Sequence, residues 1–219
     1  MLENTEIKEY SFKIILLGQS GVGKTSILRK YVYKEFEDKY ECTLGVDYCL
    51  KKNEILGERV NLKIWDTAGQ EKYRTVNKSY YLGSDACFIV FDLTSYNSFK
   101  DLDGWYDDFC QNSEEHAKNN IVVLGNKCDS DIKELKKEEM DEFIKKKNLK
   151  YFETSAKEGI NVQNMFEYLT KLTIVKKGNL KTIGLSEKDS IDDIIINEKE
   201  NQKMEVKKIK HKKKKSKFC

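Results

Sequence analysis

The sequence predicts an α/β fold: a six-stranded, mostly parallel sheet with one antiparallel strand and with helices on both faces. Short apolar runs alternate with segments of helical spacing between about residues 11 and 176, a pattern typical of parallel strands connected through helices. Residues 44–54 and 58–66 are separated by a short turn around Gly57. That spacing predicts a hairpin, and therefore the one antiparallel pair.

Each of the other strands is predicted from its own apolar pattern. The first is the run at residues 12–17, which ends at Gly18, and the hairpin supplies the second and third strands. The remaining three are the short runs at residues 86–91, 121–124 and 150–153. Their length suits buried strands better than helices.

Helices are predicted where apolar residues recur every three or four positions, which gives a helix one face to pack on the sheet. The first helix covers residues 24–33. The later ones are marked by three groups: Phe99, Leu102, Trp105, Tyr106 and Phe109; Leu135, Met140 and Phe143; and Val162, Met165, Phe166 and Leu169.

The alternating pattern fades near Lys177, which divides the chain into three parts. We predict an N-terminal extension at residues 1–10, a folded domain at residues 11–176 and a flexible tail at residues 177–219. The tail is polar apart from three consecutive isoleucines at 194–196, and it is too poor in apolar residues to build a core.

Composition and spacing argue against several functional classes. Of 219 residues, 39% are hydrophobic and 35% charged, and no apolar run approaches the roughly 18 residues of a membrane span. The first residues carry no signal-peptide core, and Leu2 stands where myristoylation needs glycine. The six cysteines are scattered without zinc-site spacing, so we expect reduced thiols in the cytosol.

Charge is distributed unevenly along the chain. The net charge is +3, yet residues 198–219 hold ten Lys and three Glu, a net of +7, which leaves −4 for the rest. A mildly acidic body with a basic end predicts that the tail meets a negatively charged partner.

The strongest chemical signal follows the first strand. Residues 18–25, GQSGVGKT, fit the pattern G-x-x-x-x-G-K-[ST] between a strand and a helix. The glycines let backbone N–H groups curl round a phosphate, and the helix N-terminus adds partial positive charge. We expect Lys24 to reach the β- and γ-phosphates and Thr25 to hold Mg²⁺. The predicted nucleotide-binding residues of this segment are Ser20, Gly21, Val22, Gly23, Lys24, Thr25 and Ser26.

A D-x-x-G motif follows the third strand. Asp66 lies at the strand end, where a carboxylate can hold the shell of a bound Mg²⁺. Gly69 can bring its N–H group close to a γ-phosphate, and Gln70 can orient the attacking water. Such a role is sufficient because phosphoryl transfer depends on positioning more than on covalent chemistry.

Two further motifs predict that the bound base is guanine. Asp129, in the N-K-x-D sequence after the fifth strand, can accept hydrogen bonds from N1–H and the 2-amino group, a donor pair that adenine lacks. Asn126 can brace the loop, and the stem of Lys127 can cover the ring face. After the sixth strand, backbone N–H groups can meet the guanine O6. The residues of that segment are Ser155, Ala156 and Lys157.

All four motifs follow strands at their carboxyl ends, which is where open α/β sheets bind ligands. Together they resemble the Ras superfamily of small GTP-binding proteins, through GQSGVGKT, WDTAGQE, GNKCD and ETSAK. The flanking sequences TLGVDY, KIWDTAGQE, YRT and YYLG narrow the resemblance to Rab proteins. It covers about residues 10–175 and implies the P-loop, small G-protein fold and a slow GTPase that binds GTP or GDP with Mg²⁺. LDGWYDDF and YFETSAK resemble the late-endosomal branch.

The resemblance adds two residues that motif chemistry alone does not identify. Thr43 falls where the switch I threonine of the family meets Mg²⁺ and the γ-phosphate. Phe36 falls where an aromatic ring packs edge-on against guanine. The implied catalytic residues are Gln70, Lys24 and Thr43. The implied metal ligands are Thr25, Thr43 and Asp66.

The resemblance also implies partners and a location. Switch segments at about residues 37–48 and 67–82 order around the γ-phosphate, and the GTP state then recruits effectors for vesicle traffic at an endosomal or other intracellular membrane. The other implied partners are a nucleotide exchange factor, a GTPase-activating protein, a GDP-dissociation inhibitor and a prenylation escort protein. Prenylation is implied at Cys219, although Rab proteins usually end in two cysteines and this chain has one.

Two other interpretations stay open. The lysine-rich tail could bind nucleic acid, as in a nuclear-transport or ribosome-linked GTPase, because lysines neutralise phosphates. No aromatic residues interleave these lysines and no RNA-binding module is visible, so a membrane is favoured and no nucleic-acid partner is expected. The third interpretation is a scaffold that binds nucleotide without hydrolysis, against which Lys24, Thr25, Asp66 and Gln70 all argue.

Overall fold

Six strands form one sheet in the order β2–β3–β1–β4–β5–β6. The computed structural model describes residues 8–37, 43, 46–68 and 79–177. The strands are β1 (Glu9–Leu17), β2 (Val46–Ile55), β3 (Glu58–Thr67), β4 (Ala86–Asp92), β5 (Ile121–Asn126) and β6 (Lys150–Glu153). Among them β2 pairs antiparallel with β3, and the other pairings are parallel. The predicted sheet is confirmed.

β1 begins at Glu9, earlier than its apolar run at residues 12–17 predicts and inside the predicted N-terminal extension. Its polar first residues pair in register with residues 59–61 of β3. Backbone hydrogen bonds to a neighbouring strand therefore extend β1 beyond the part that its apolar pattern marks.

The described helices are α1 (Lys24–Tyr33), α2 (Tyr96–Lys100), α3 (Leu102–Asn112), α4 (Glu115–Lys118), α5 (Lys137–Lys147) and α6 (Val162–Lys177). The predicted helical group around Phe99 is split into two helices, with Asp101 as their shared cap. Leu135 lies before α5 and packs against the core from the preceding loop. Helix α4, with four residues, is too short to produce a detectable period.

Helices cover both faces of the sheet. On one face Ile89 of β4 joins a buried cluster with Phe109 of α3. On the other face Phe88 meets the ring of Phe166 of α6 edge-on, with ring centroids 5.0 Å apart. The same Phe166 ring stacks on Tyr31 of α1 at 3.8 Å. Each such fully buried side chain stabilises the fold by about 1.5–3 kcal/mol, so α1 is held firmly at its position beside the sheet.

The chain divides into two compact units, Met1–Thr173 and Ile174–Cys219. The described part of the second unit is residues 174–177, the end of α6. Apart from Lys177, the predicted tail lies outside the described residues. Within the described ranges, no helix is long and apolar enough to cross a membrane.

Candidate functional site

A cavity of about 470 Å³ is lined by residues from the loops that follow β1, β5 and β6. These loops carry three of the four predicted motifs. The predicted residues that line the cavity are Ser20, Gly21, Gly23, Lys24, Thr25, Ser26, Phe36, Thr43, Asn126, Lys127, Asp129, Ala156 and Lys157. Val22, Asp66 and Ser155 lie behind this lining and are buried. Gly69, Gln70 and Cys219 lie outside the described residues.

The loop after β1 leads directly into α1. Gly23 caps the helix with φ of 96°, a backbone conformation that favours glycine. A Cβ atom at this position would lie 2.3 Å from Nδ2 of Asn126, so a larger residue would displace that side chain. No side chain of the described residues caps the N-terminus of α1. Because the first residues of α1 line the cavity, an anion is favoured at this end.

Lys24 is only 5% exposed although it carries a charge. Its ammonium donates hydrogen bonds to the carbonyl oxygens of Gly18 at 2.9 Å and Gln19 at 3.0 Å. Because an unsatisfied buried cation is costly, these carbonyls fix the ammonium within the loop. A positive charge is thereby held at the end of the cavity where the helix begins.

Three oxygen-bearing side chains meet next to this loop. Oγ1 of Thr25 donates to Oδ2 of Asp66 at 2.5 Å and lies 2.9 Å from Oγ1 of Thr43. The other carboxylate oxygen of Asp66, Oδ1, is buried and has no hydrogen-bond partner among the residues that the structure describes. Burial raises the pKa of the Asp66 carboxyl, while the hydrogen bond from Thr25 and the charge of Lys24 oppose the shift.

This cluster has the chemistry of a site for a hard cation. Hydroxyl and carboxylate oxygens are the protein ligands that Mg²⁺ accepts, usually together with waters and substrate phosphates. A buried carboxylate oxygen without a partner also leaves room for a positive charge. Within the described ranges, no group of three or more His, Cys, Asp or Glu is arranged to hold a metal.

Asn126 connects the loops at the opposite end of the cavity. Its Nδ2 donates to the carbonyl oxygen of Val22 at 2.8 Å, and its Oδ1 accepts from the backbone N–H of Ala156 at 3.2 Å. Asn126 itself is 2% exposed. One side chain at the end of β5 therefore ties the loop after β1 to the loop after β6.

Lys127 and Asp129, which follow Asn126 and line the cavity, differ in exposure. Lys127 adopts φ of 64°, and its ammonium pairs with Oδ2 of the buried Asp92 at 2.5 Å. Oδ1 of Asp92 accepts from the N–H and hydroxyl of Thr94 at 2.8 and 2.7 Å. The aliphatic part of the Lys127 side chain is therefore fixed through its ammonium group, whereas Asp129 is exposed.

The loop after β6 uses part of its backbone hydrogen-bonding capacity internally. The N–H of Ser155 donates to the carbonyl oxygen of Ile160 at 3.1 Å, and that of Ala156 donates to Asn126. The sequence prediction treats these N–H groups as donors to a ligand. Both N–H groups already have partners within the protein, so a ligand at this loop would have to share them.

Comparison with known proteins agrees with this site. A profile of the Ras family matches residues 13–175 of the chain. The chain belongs to the Ras family. The match spans all six strands except the first residues of β1, and the P-loop, small G-protein fold predicted from the sequence is confirmed.

Similar members of this Ras family are Rab-type proteins. The chain is 37% identical over 198 residues to the Ras-related protein Rab7 of Drosophila melanogaster, which covers 89% of this chain and 94% of that protein. It is 34% identical over 194 residues to Rab-13 of Rattus norvegicus, covering 88% and 94%. It is 41% identical over 169 residues to the GTP-binding protein yptV5 of Volvox carteri, covering 75% and 82%.

Membership of this family fixes the class of activity. The chain is a Rab-type small GTPase, and it hydrolyses GTP. Members of the Ras family in general bind GTP or GDP together with Mg²⁺. The prediction of a GTPase is therefore confirmed, and the alternative of a scaffold without hydrolysis is not supported.

Four residues of this Ras-family cavity are missing from the sequence prediction. They are Arg29, Glu37, Thr94 and Ser130. None belongs to a phosphate or guanine motif. For Arg29 a signal exists, because it lies four residues after Thr25 and hence on the same face of α1. Thr94 lies in the turn after β4, and that turn carries no predicted motif.

Proposed function

We propose that this Rab-type GTPase is a membrane-trafficking switch that binds GTP or GDP with Mg²⁺ in the described cavity and recruits effectors in its GTP state. The observation that carries the proposal is the convergence of residues from separate motifs on one cavity. Slow hydrolysis then ends the effector-binding state. The exchange factor, the GTPase-activating protein and the GDP-dissociation inhibitor act on this cycle.

The phosphates are assigned to the end of the cavity formed by the loop after β1. Backbone N–H groups of residues 20–26 and the buried ammonium of Lys24 supply donors and positive charge there. Thr25, Thr43 and Asp66 would hold Mg²⁺, since their oxygens already lie within hydrogen-bond distance of one another. When bound, Mg²⁺ neutralises charge on the phosphates during transfer.

The guanine is assigned to the end formed by the loops after β5 and β6. The carboxylate of Asp129 accepts from N1–H and the 2-amino group, and the N–H of Ala156 with that of Lys157 faces O6. The stem of Lys127 covers one face of the ring, because its ammonium is held by Asp92. Phe36 lines the same cavity and is assigned to the edge of the base.

Hydrolysis is assigned to four residues with three tasks. Gln70 orients the attacking water, while Gly69 donates its N–H group to the γ-phosphate. Lys24 and Thr43 hold the phosphate in position. In P-loop GTPases such positioning alone gives a turnover near 10⁻⁴ s⁻¹, and an arginine from a partner raises it by about 10³–10⁵. Regulation by a GTPase-activating protein is therefore expected.

An aromatic row gives effectors a place to bind between the two switch segments. The rings of Tyr48 and Trp65 stack with centroids 5.4 Å apart, and Trp65 meets Tyr80 at 5.6 Å. Tyr48 is 51% exposed. Aromatic side chains with an apolar body and a polar tip are favoured at protein interfaces, so this row supports effector binding that follows the switches.

Membrane attachment is assigned to the tail, which lies outside the described residues. A prenyl group on Cys219, added with the escort protein, gives marginal binding by itself. Eight lysines between residues 207 and 217 supply the second signal by attraction to an anionic leaflet. We propose an endosomal membrane on the resemblance of LDGWYDDF and YFETSAK to the late-endosomal branch.

Imaging of the N-terminally tagged full chain in cells tests the trafficking role. We expect the wild type on intracellular vesicles that carry endosomal markers. Thr25→Asn, which removes a hydroxyl needed in the cation cluster, should shift the protein toward the GDP state and away from vesicles. A wild-type protein that accumulates in the nucleus, or that copurifies with RNA instead of vesicles, would contradict the proposal.

A further inference from the structure

A cation on α1 contacts both residues that flank Phe36. Nη2 of Arg29 bonds Oε1 of Glu37 at 2.5 Å and lies 3.8 Å from Oε2 of Glu35. Arg29 and Glu37 line the cavity together with Phe36. The guanidinium is planar and carries several donors, so one arginine can serve two carboxylates at once.

Phe36 needs such contacts because its own segment is weakly held. Residues 35–37 belong to no helix or strand, so no ladder of backbone hydrogen bonds fixes the ring against the cavity. Arg29, in contrast, lies on α1, whose Tyr31 is buried and stacked on Phe166 of α6. The ion pairs therefore join a loosely held ring segment to a well-packed helix.

We propose that Arg29 is a positioning residue that holds Phe36 over the cavity and thereby slows release of the bound guanine nucleotide. The inference rests on the proposed function of the cavity as the nucleotide site. Arg29 acts through Glu35 and Glu37 rather than by contact with the nucleotide. The segment that carries Phe36 is thus tethered on both sides of the ring, and the rate of nucleotide loss depends on that tether.

The ion pairs are partly exposed, which sets the size of the effect. The side chain of Arg29 is 37% exposed, and those of Glu35 and Glu37 are 65% and 58% exposed. Pairs of this kind are individually weak and are screened by salt. Two of them together support a change in dissociation rate of roughly three- to tenfold, and this change should shrink as the salt concentration rises.

The test measures release of fluorescent GDP from the full chain after addition of excess unlabelled GDP. We expect Arg29→Leu to release the label about three- to tenfold faster than the wild type. Lys118→Leu is the matched control, because it removes an exposed pair with Glu115, 2.8 Å long, outside the cavity. Its release rate should equal that of the wild type.

Coupling between variants separates positioning from a general loosening of the fold. The double change Glu35→Gln and Glu37→Gln should accelerate release as Arg29→Leu does, and adding Arg29→Leu to it should give no further acceleration. The double variant Arg29→Glu with Glu37→Arg should release GDP more slowly than Arg29→Glu alone. Without nucleotide, melting temperatures should match that of Lys118→Leu, because binding then contributes nothing to the measured stability.

Three results would overturn the inference, and they separate the role of Arg29 from the proposed nucleotide site. A wild-type chain that retains labelled GDP, with Arg29→Leu releasing it at the same rate, contradicts the role of Arg29 and leaves the proposed nucleotide site intact. The role of Arg29 is also contradicted if adding Arg29→Leu to the double glutamate variant accelerates GDP release further, by the factor that Arg29→Leu gives alone. A wild-type chain that retains no labelled GDP overturns both the proposed site and the role of Arg29.

Discussion

The side-chain amide of Asn126 donates a hydrogen bond to the carbonyl oxygen of Val22 over 2.8 Å, joining residues 104 positions apart in the chain. Val22 belongs to the loop that precedes α1, and Asn126 ends β5. The hydrogen bond therefore joins the proposed phosphate and guanine ends of the cavity, and the two ends are expected to respond together when it is broken.

Asn126→Ala should weaken GDP binding and lower the stability of the protein. The change removes the donor to Val22 and the acceptor for Ala156, and a buried polar group left without a partner costs about 1–3 kcal/mol. This corresponds to roughly a 5- to 150-fold loss of affinity, measurable by calorimetric titration. Asn112→Ala is the control, because it removes a bond to the carbonyl of Asp108 at 2.7 Å outside the cavity. Equal affinities in the two variants would contradict the bridging role.

Asp66→Asn should raise the melting temperature without Mg²⁺ and nucleotide and lower it when both are present. Burial raises the pKa of Asp66 in the folded state. A carboxyl with a raised pKa contributes stability below its unfolded pKa and loses that contribution as the pH rises through its folded value. In EDTA and without nucleotide at neutral pH, the ionised carboxylate therefore penalises the fold, and the asparagine variant should melt at a higher temperature than the wild type.

The advantage of Asp66→Asn in EDTA should shrink as the pH falls and the wild-type carboxyl becomes protonated. With Mg²⁺ and GDP the wild type should instead melt at the higher temperature, since Asp66→Asn lacks the negative charge that would bind the cation. Thermal melts across pH, in both conditions, check this. A variant that is less stable than the wild type in EDTA at every pH would show that Asp66 is not poised for a cation.

Gln70→Leu should slow hydrolysis without weakening GTP binding. The leucine cannot orient a water, but it leaves the phosphate-binding residues in place. We expect single-turnover hydrolysis to fall by about tenfold or more, from an intrinsic rate near 10⁻⁴ s⁻¹, while the affinity for a non-hydrolysable GTP analogue stays unchanged. Hydrolysis at the wild-type rate would remove Gln70 from the mechanism.

Cys219→Ser should move the full chain from the membrane fraction to the soluble fraction. Changing Lys212 to Lys215 to glutamine should weaken attachment, because each lysine near an anionic leaflet contributes about 1 kcal/mol. The matched control changes four exposed lysines of the folded part to glutamine: Lys136, Lys137, Lys145 and Lys146. Equal membrane fractions for the two lysine variants would contradict the role of the tail. A Cys219→Ser protein that stays on membranes would exclude the lipid anchor.

The sequence is most informative where residue type and chemistry are tightly coupled. The six-stranded, mostly parallel sheet follows from the alternating apolar runs. The motif that ends at Thr25 could be placed at a strand end because few other residues do the same chemistry. The start of β1 at Glu9 depends on pairing with β3, which no local pattern reports. The ion pairs of Arg29 depend on how the segment after α1 folds back, and charges in sequence do not specify that path.

Nucleotide selectivity tests the central claim, that this cavity is a guanine-nucleotide site, most directly. Calorimetric titration of the wild type and of Asp129→Asn with GDP and with xanthosine diphosphate gives the four affinities. We expect the wild type to prefer GDP. In the variant, loss of a charge-assisted pair should weaken GDP binding by about 1.5–3 kcal/mol, and the preference should turn to xanthine, whose 2-oxo group suits an amide donor. An unchanged preference for GDP in Asp129→Asn would contradict the account.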